Sequence, residues 1–579
     1  MPMDNQAVAR ILRETGEYIQ MQEGLSFRAR AYDRAAEIID GLGASVIETF
    51  RSGGEPALLA MDGIGRGIAQ TIRELAETGV SAVHAELKKA VPADVSALRS
   101  VEGLGPQKIR RLYQELGITD LATLEDAARA GRIRALSGFG AKSEEKIIRG
   151  VEFLKRGTGR FLLGDALPRA RAIEAFIMRI PGVSRAAIAG SSRRRRETVG
   201  DLDILAVAAD TAPVMDAVAV MPGVAEVIAK GATKTSVRLD IGLQVDVRVV
   251  PPESYGAALN YFTGSRDHNI ALRQIAQDRG LKLNEYGLFR GDVAIAGKTE
   301  EEIYAALGLA YIDPELREAA GEIEAAARDT SPCLLGYGDL MGDCQVQTDW
   351  TDGAHSIMEM AEAAMALGLS YIVVTDHTKR LAMMGGLDAE GVLRQGHEID
   401  RLNATLAAAG KAFRILKGSE CDILKDGSLD LPDEVLATLD VVGVSVHSYF
   451  DLPRAEQTAR VIRAISNPHA DIFFHPTARK ILKRPAIDLD MAAVIACAKA
   501  TGTVLEIDAF PDRLDLKDEY IRECVRQGVK LGIDSDAHDK AHFAVLEYGI
   551  AQARRGWARR EDVINAWPID RMLAMLKRQ

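Results

Sequence analysis

Three aspartates carry the strongest chemical signal in the chain. Asp201 and Asp203 stand two residues apart in the apolar run DLDILAVA, and Asp246 sits in a later run, LQVDVRVV. Residues two apart on a strand project from the same face, so the first pair forms a carboxylate patch. Carboxylates so placed repel one another unless cations occupy the gap. A third from a neighbouring strand completes a site for two divalent ions, which can stabilise the attacking and leaving oxygens of an in-line phosphoryl transfer. Just ahead lies Gly190-Ser-Ser-Arg-Arg-Arg-Arg-Glu-Thr-Val-Gly200. A Gly190-Ser191 turn feeding an arginine-rich segment can hold a triphosphate through backbone amides and the Ser191 hydroxyl. An Asp-x-Asp by itself is more often a solvated surface pair; the arginine-rich turn and the third aspartate reverse that reading.

A second signal is an internal repeat in the N-terminal third: Met61-Asp-Gly63-Ile-Gly65, Val101-Glu-Gly103-Leu-Gly105 and Leu136-Ser-Gly138-Phe-Gly140. Each is followed by a short amphipathic helix. Glycines let a backbone approach a phosphate closely, and the following helix N-terminus supplies amides and a favourable dipole. Lys108 and Lys142 lie just beyond two of the repeats and can add charge that ignores base sequence. One such segment is a turn between packed helices; three beside a phosphoryl-transfer site point to the DNA backbone.

The third signal is histidine. Eight of the ten histidines follow residue 350. Asp376-His377, His447, His475, Asp508, Asp536 and His538 lie at the ends of apolar strand-like runs, where imidazole and carboxylate groups can form a metal cluster. His355, His397, His469 and His542 read as satisfied polar groups.

The elements that must position these residues follow from texture. Residues 1–155 read as helical. From about 160, strand-like runs alternate with helices as in an open α/β sheet, until Pro251-Pro252 ends the last run. A mainly helical stretch reaches 327, residues 328–342 read as a linker, and repeated βα units beyond it predict a barrel with its chemistry at the strand C-termini. At 579 residues the chain needs several domains. A net charge of −11 argues against indiscriminate coating of nucleic acid while leaving local phosphate contacts open. Five cysteines without a CxxC pair argue against a disulfide framework or a cysteine zinc site. No apolar run reaches the ~18 residues of a membrane span. The opening MPMDNQAVARILRETGEY is polar and acidic, unlike a secretory signal, so a cytoplasmic monomer is the expectation.

The pattern G-S-x-R-R…D-x-D resembles the nucleotidyltransferase motif of family X DNA polymerases in their bacterial and archaeal form. Tyr261-Phe-Thr-Gly-Ser265, Asn269, Arg273 and Asn284-Glu-Tyr286 match further blocks of that family in order. The resemblance implies helix-hairpin-helix regions over 1–80 (lyase-like) and 81–155 (fingers-like), a palm over 156–252 and a helical thumb over 253–327. It further implies that Asp201, Asp203 and Asp246 are catalytic and hold Mg²⁺ or Mn²⁺. Gly190, Ser191, Arg194, Tyr261, Phe262, Gly264 and Asn269 would contact the deoxynucleoside triphosphate, and Arg273 the template. The glycines at 63, 65, 103, 105, 138 and 140, with Lys108 and Lys142, would grip DNA. Family members with deoxyribose-phosphate lyase activity carry a Schiff-base lysine where this chain has Thr71, and a threonine forms no imine.

Residues 343–579 resemble a PHP (polymerase and histidinol phosphatase) domain, a distorted β/α barrel with a three-metal phosphoesterase site. The blocks are Thr375-Asp-His377, Gly418-Ser-Glu420, Val446-His447, His475-Pro-Thr-Ala-Arg479 and Asp536-Ala-His538. The family's H-x-H reads Gln345-Val-Gln347 here, and an amide oxygen is a weak ligand for a transition metal. By resemblance the first metal would draw on Gln345, Gln347, Glu420 and Asp536 and loses both nitrogen donors. The second (Glu420, His447, His475) and third (Asp352, His377, His538) keep theirs, for Zn²⁺ or Mn²⁺. Asp508 stands where the family usually has Asn. The expected function is gap-filling DNA synthesis beside a 3′–5′ exonuclease that is weakened or lost. The alternatives are a PHP-centred 3′–5′ exonuclease or phosphoesterase acting on DNA ends, and a non-catalytic DNA-end scaffold.

Overall fold

The computed structural model describes residues 5–23, 26–40, 45–61, 63–91, 93–99, 101, 104–157, 159–380 and 385–576. The chain divides into two compact units, one of Met1–Thr158 with Leu482–Pro485 and a second that comprises Gly159–Ile481 and Ala486–Gln579. Among the described residues no helix is long and apolar enough to cross a membrane.

The first unit is helical throughout, from Asn5–Glu23 to Ala141–Gly157. Its core gathers the apolar faces of these helices, with Leu12, Ile19, Ile39, Ile47, Leu58, Ile72, Leu98, Leu112 and Val151 buried. The apolar residues of Arg66–Thr78 (Ile68, Ala69, Ile72, Leu75) recur at helical spacing and supply one such face.

The second unit opens with a five-stranded sheet in the order Val183–Ile188, Asp201–Ala208, Gln244–Val250, Lys234–Leu239, Val224–Lys230. Asp201–Ala208 runs parallel to Gln244–Val250 and antiparallel to Val183–Ile188. Alternation divides its residues between faces: Leu202, Ile204 and Ala206 are buried on one, while Asp201 and Asp203 share the other.

The stretch that reads as mainly helical, 253–327, contains helices Tyr255–Thr263, Arg266–Asp278, Glu300–Ala306 and Glu322–Ala327. It also contains a three-stranded antiparallel sheet (Lys282–Asn284, Gly287–Arg290, Val293–Ala296) that the sequence reading missed. The strands are three or four residues long and held by turns at Gly287 and Gly291, too short for a period-two pattern to register. A buried ionic knot joins this region to the sheet. Arg317 is fully buried and gives Nη1 to Glu300 at 2.6 Å, while its Nε and Nη2 donate to the Ile312 carbonyl. Arg193 forks onto the same Glu300 at 2.9 and 2.6 Å.

The expected linker, 328–342, is packed. Leu335 is fully buried, its amide bonds to the Ala558 carbonyl at 3.0 Å, and its own carbonyl accepts from Arg554 at 2.9 Å. A seven-stranded parallel sheet follows: Gly342–Val346, Tyr371–Val374, Arg414–Asp422, Val441–Ser445, Ile472–Phe473, Val504–Asp508 and Leu531–Asp534, in that order. It closes on itself, with Val346 bridged in parallel to Ala537 and Asn565 bonded to both the Gly342 and Ile533 carbonyls. Tyr371–Val374 and Val441–Ser445 are apolar at nearly every position because their side chains are buried on both faces. Gly443 has no room for a side chain, since a Cβ would lie 1.8 Å from the Phe474 ring.

Glu300 makes the ionic knot testable. Burial alone would raise its pKa, but Arg193 and Arg317 outweigh it and hold the carboxyl at about 2, against an ordinary 4.5. A folded value below the unfolded one stabilises the fold fully above pH 4.5, and the contribution drains away as the pH falls towards 2. Glu300→Gln should therefore cost about 3 kcal/mol at neutral pH, because it strands buried Arg317. The loss should shrink between pH 4.5 and 3, and urea unfolding across that range measures it.

Candidate active sites

The paired carboxylates form where the two parallel strands meet. Asp203 lies in register opposite Asp246, and Asp201 opposite Gln244. Asp203 is pushed up to about 7, first by burial and then by repulsion from Asp201 and Asp246. Burial and Asp246 also raise Asp201. Burial works against ionisation of Asp246 too, yet hydrogen bonds from Lys234, Ser236 and Gln244 bring it below the ordinary aspartate value. Lys234 Nζ lies 2.6 Å from Asp246 Oδ2. Arg160, Arg248 and Lys234 each offset part of this charge, Lys234 by direct contact, and carboxylates grouped in this way suit divalent cations. Lys234 gives no sequence signal; only the register of its strand brings it to Asp246.

Gly190 adopts φ +62° and presses against this cluster, where a Cβ would sit 2.4 Å from Asp203 Oδ2. The Ala189 amide bonds the Asp203 carbonyl at 2.8 Å, tying the turn to the strand. Beside it opens a polar cavity of about 560 Å³, lined by Arg160, Ser191, Arg194, Arg196, Gly200, Asp201, Gln244 and Glu318. Arg160, Gln244 and Glu318 lie outside the sequence reading, whereas Arg196 belongs to the arginine-rich segment it singled out. Arg194 is not free in this cavity: its Nε meets Glu318 at 3.0 Å and its Nη1 donates to the Thr263 carbonyl. Tyr261 and Phe262 pack edge to face, with the Arg248 guanidinium 4.4 Å from the Phe262 ring centre. Asn269 donates Nδ2 to the Tyr261 carbonyl at 2.7 Å, which fixes the end of that helix. Gly264 is buried at φ +70° against Arg194, and Arg273 is half-buried on Arg266–Asp278.

In the first unit the three glycine repeats fold alike. The amide of the residue between the glycines bonds back three residues, Ile64 to Met61, Leu104 to Val101 and Phe139 to Leu136, at 3.1–3.2 Å. Gly63 and Gly138 take positive φ (77° and 83°), and Gly65 and Gly105 cap helices Arg66–Thr78 and Pro106–Leu116 without a side chain in the way. Around Gly65, Gly105 and Gly140 nothing lies within 4 Å of a would-be Cβ. Gly103 lies outside the described residues. Lys142 is exposed, and Lys108 lies half-buried, 5.7 Å from the Phe139 ring centre. Thr71 is buried and bonds the Tyr32 hydroxyl at 3.1 Å.

At the barrel's C-terminal strand ends, Glu420 Oε1 lies 2.8 Å from His475 Nε2 and 3.0 Å from His447 Nε2. Among the described residues, two groups have ligand atoms close enough to share an ion: Asp352, His377 and His538, and His377, Glu420 and His447. The first reproduces the expected third-metal set. The second replaces His475 with His377, which turns Nδ1 towards Glu420 at 3.3 Å and Nε2 towards Asp352 at 3.7 Å. Asp422, unremarked in the sequence, backs His447 at 3.3 Å.

At the expected first-metal position the two glutamines stand where the resemblance places histidines, and Gln347 Oε1 is buried without a protein partner. Gln347 donates its amide to Glu420 at 2.9 Å, and buried Gln345 meets no protein partner with either polar atom. Arg513 occupies the remaining acids, 3.1 Å from Asp508 and 3.5 Å from Asp536. His355 and His542 are satisfied as expected, on Asp539 and on the His538 amide.

Several known proteins resemble this chain. Residues 258–318 match the DNA polymerase beta thumb family, 3–81 a helix-hairpin-helix domain, and 55–116 and 95–152 a SAM-like helix-hairpin-helix tandem. The chain is 38% identical over 583 residues to the DNA polymerase/3′-5′ exonuclease PolX of Bacillus subtilis (strain 168), covering all of both proteins. It is 24% identical to DNA polymerase lambda of Rattus norvegicus over 53% of this chain and 57% of that one. A probable phosphatase of Acetivibrio thermocellus is 32% identical over 32% of this chain and 73% of its own length.

Gly190→Ala should abolish chemistry at the paired carboxylates while leaving the fold intact, because the added methyl displaces Asp203. The check is isothermal titration of Mn²⁺ beside a thermal melt: binding at this site should be lost with a small change in melting temperature.

Proposed function

The chain belongs to the family X DNA polymerases of the PolX type, with a PHP-type C-terminal region, and from that membership we propose that it fills short gaps by template-directed DNA synthesis. The observation that carries this reading is the Asp203–Asp246 register pair set against the Gly190 turn and the arginine-lined cavity. Asp201, Asp203 and Asp246 hold Mg²⁺ or Mn²⁺, which would screen their mutual repulsion and polarise the reacting oxygens. Ser191 and Arg194 receive the triphosphate, Tyr261 and Phe262 shape the sugar pocket with Gly264, Asn269 meets the base, and Arg273 meets the template. Asp246 faces the primer 3′-hydroxyl and helps remove its proton.

The domains implied are 1–80 and 81–155 for DNA, 156–252 as palm, 253–327 as thumb and 343–579 as PHP barrel. The glycine repeats grip the DNA backbone through open helix N-termini. Thr71, hydrogen-bonded to Tyr32 and without an amine, supports the absence of lyase chemistry by that route. In the barrel, His377, His447 and His538, with Asp352 and Glu420, suit Zn²⁺ or Mn²⁺, whereas Gln345, Gln347 and Arg513 leave no seat for the first ion. Exonuclease activity is correspondingly weak or lost. A monomer in the cytoplasm completes the reading.

A 5′-labelled primer across a short gap tests both halves. Wild type with Mg²⁺ or Mn²⁺ and nucleotides should extend it, and Asp201→Ala should lower extension at least a thousandfold. With Mn²⁺ and no nucleotides the primer should stay full length. Shortening that disappears in His447→Ala would reverse the assignment of the barrel. Borohydride on an abasic substrate should trap no adduct.

A further inference from the structure

Glu318 is an acid in a cavity assigned to a triphosphate, and its surroundings explain how it can be there. The same oxygen, Oε1, lies 3.0 Å from Arg194 Nε and 3.0 Å from Arg555 Nη1. Arg555 ends helix Leu546–Arg555 of the barrel, and its side chain is 3% exposed. From there it also donates Nη1 to the Arg194 carbonyl at 2.9 Å, and Nη2 to Asp518 of the barrel at 2.5 Å. A second barrel arginine holds the same palm segment: Arg479 reaches Glu197 at 2.8 Å and is anchored by its own Nε on the Arg513 carbonyl. The turn that runs from Gly190 to Asp201 is thus braced from behind by the barrel.

We infer that Arg555 is a positioning residue for nucleotide binding: by sharing Glu318 it lets Arg194 exchange that carboxylate for an incoming triphosphate. The inference rests on the reading of the cavity as the triphosphate seat. A carboxylate paired to two guanidinium groups can release one and stay paired to the other, so the exchange does not strand a charge. Without Arg555, Glu318 keeps Arg194 at 3.0 Å and the looser Arg196 at 3.9 Å, so the exchange leaves a half-buried carboxylate with only the distant Arg196 beside the triphosphate, and the Arg194 carbonyl loses its anchor. The barrel thereby serves the polymerase site through residues remote from its own metal ligands. That role does not depend on whether Gln345 and Gln347 have silenced the barrel's chemistry.

The test is single-nucleotide incorporation on gapped DNA with full-length protein. All variants carry Asp518→Asn, so that loss of Arg555 does not strand a second half-buried acid. Arg555→Ala should raise the KM for the nucleotide roughly tenfold, about one charge-assisted hydrogen bond. Affinity for gapped DNA should be unchanged, and Arg555→Lys should recover most of the loss. Adding Glu318→Gln to Arg555→Ala should bring the KM back to within about twofold of Glu318→Gln alone, because the competing charge is gone. An unchanged KM in Arg555→Ala, or penalties that simply add in the double variant, would overturn the inference. A parallel loss of DNA affinity and melting temperature, without rescue by Glu318→Gln, would overturn it too, reducing Arg555 to a structural strut. Failure of the parent protein to extend any primer would instead sink the polymerase reading on which it rests.

Discussion

Three carboxylates on two adjacent strands repel one another in a cleft where water screens them poorly, and most of the second unit's architecture follows from that constraint. The strands must be parallel and in register to bring Asp203 opposite Asp246. The turn before them must begin with glycine, because Asp203 leaves no room for a Cβ. Positive charge must then be layered around the cluster without occupying it. Lys234 meets Asp246 directly, Arg248 stacks on Phe262, and the arginines after Ser191 are held by acids of their own. Glu300 and Glu318 thus fix Arg193 and Arg194 beside the carboxylates.

The barrel meets the same electrostatic problem with a different outcome. Its strand ends gather more acids than its retained imidazoles can neutralise, and burial raises Glu506, Asp508 and Asp534 well above ordinary values. At the position where the resemblance places the first ion, this chain sets a guanidinium and an amide: Arg513 between Asp508 and Asp536, and Gln347 on Glu420. A cation built into the protein neutralises the acids as an ion would, yet it cannot polarise a bound water.

Much of this was legible in the sequence because the chemistry lies in short, spaced motifs. Asp201-x-Asp203 fixes a strand face by period alone, and the glycine repeats announce their turns, which fold with one shared hydrogen bond. The imidazoles of the barrel were legible as a cluster for the same reason. What escaped was set by distant pairings. Lys234 reaches Asp246 only through strand register, and Glu318, Arg513 and Arg555 sit in unremarkable helix-end or loop sequence. The assignment of His377 against His475 to a shared site depended on side-chain direction, which spacing does not encode. The three-stranded sheet at 282–296 was missed because its strands are shorter than the pattern that would reveal them.

The segment between thumb and barrel has a consequence for how the protein ages and evolves. A stretch rich in glycine, proline and serine would ordinarily be a tether, open to proteases and tolerant of insertions. Here Leu335 is buried, Tyr337 bonds Glu315, and Arg554 clasps Leu335, Asp313 and Glu315 together. Nearby, Gly164 admits no side chain against Pro511, and Arg171 forks onto Glu547. Thumb, palm and barrel share one packed seam rather than an open tether. A lineage that lost the phosphoesterase reaction would keep the barrel's full length as scaffold, free to drift at its ligands but not along the seam.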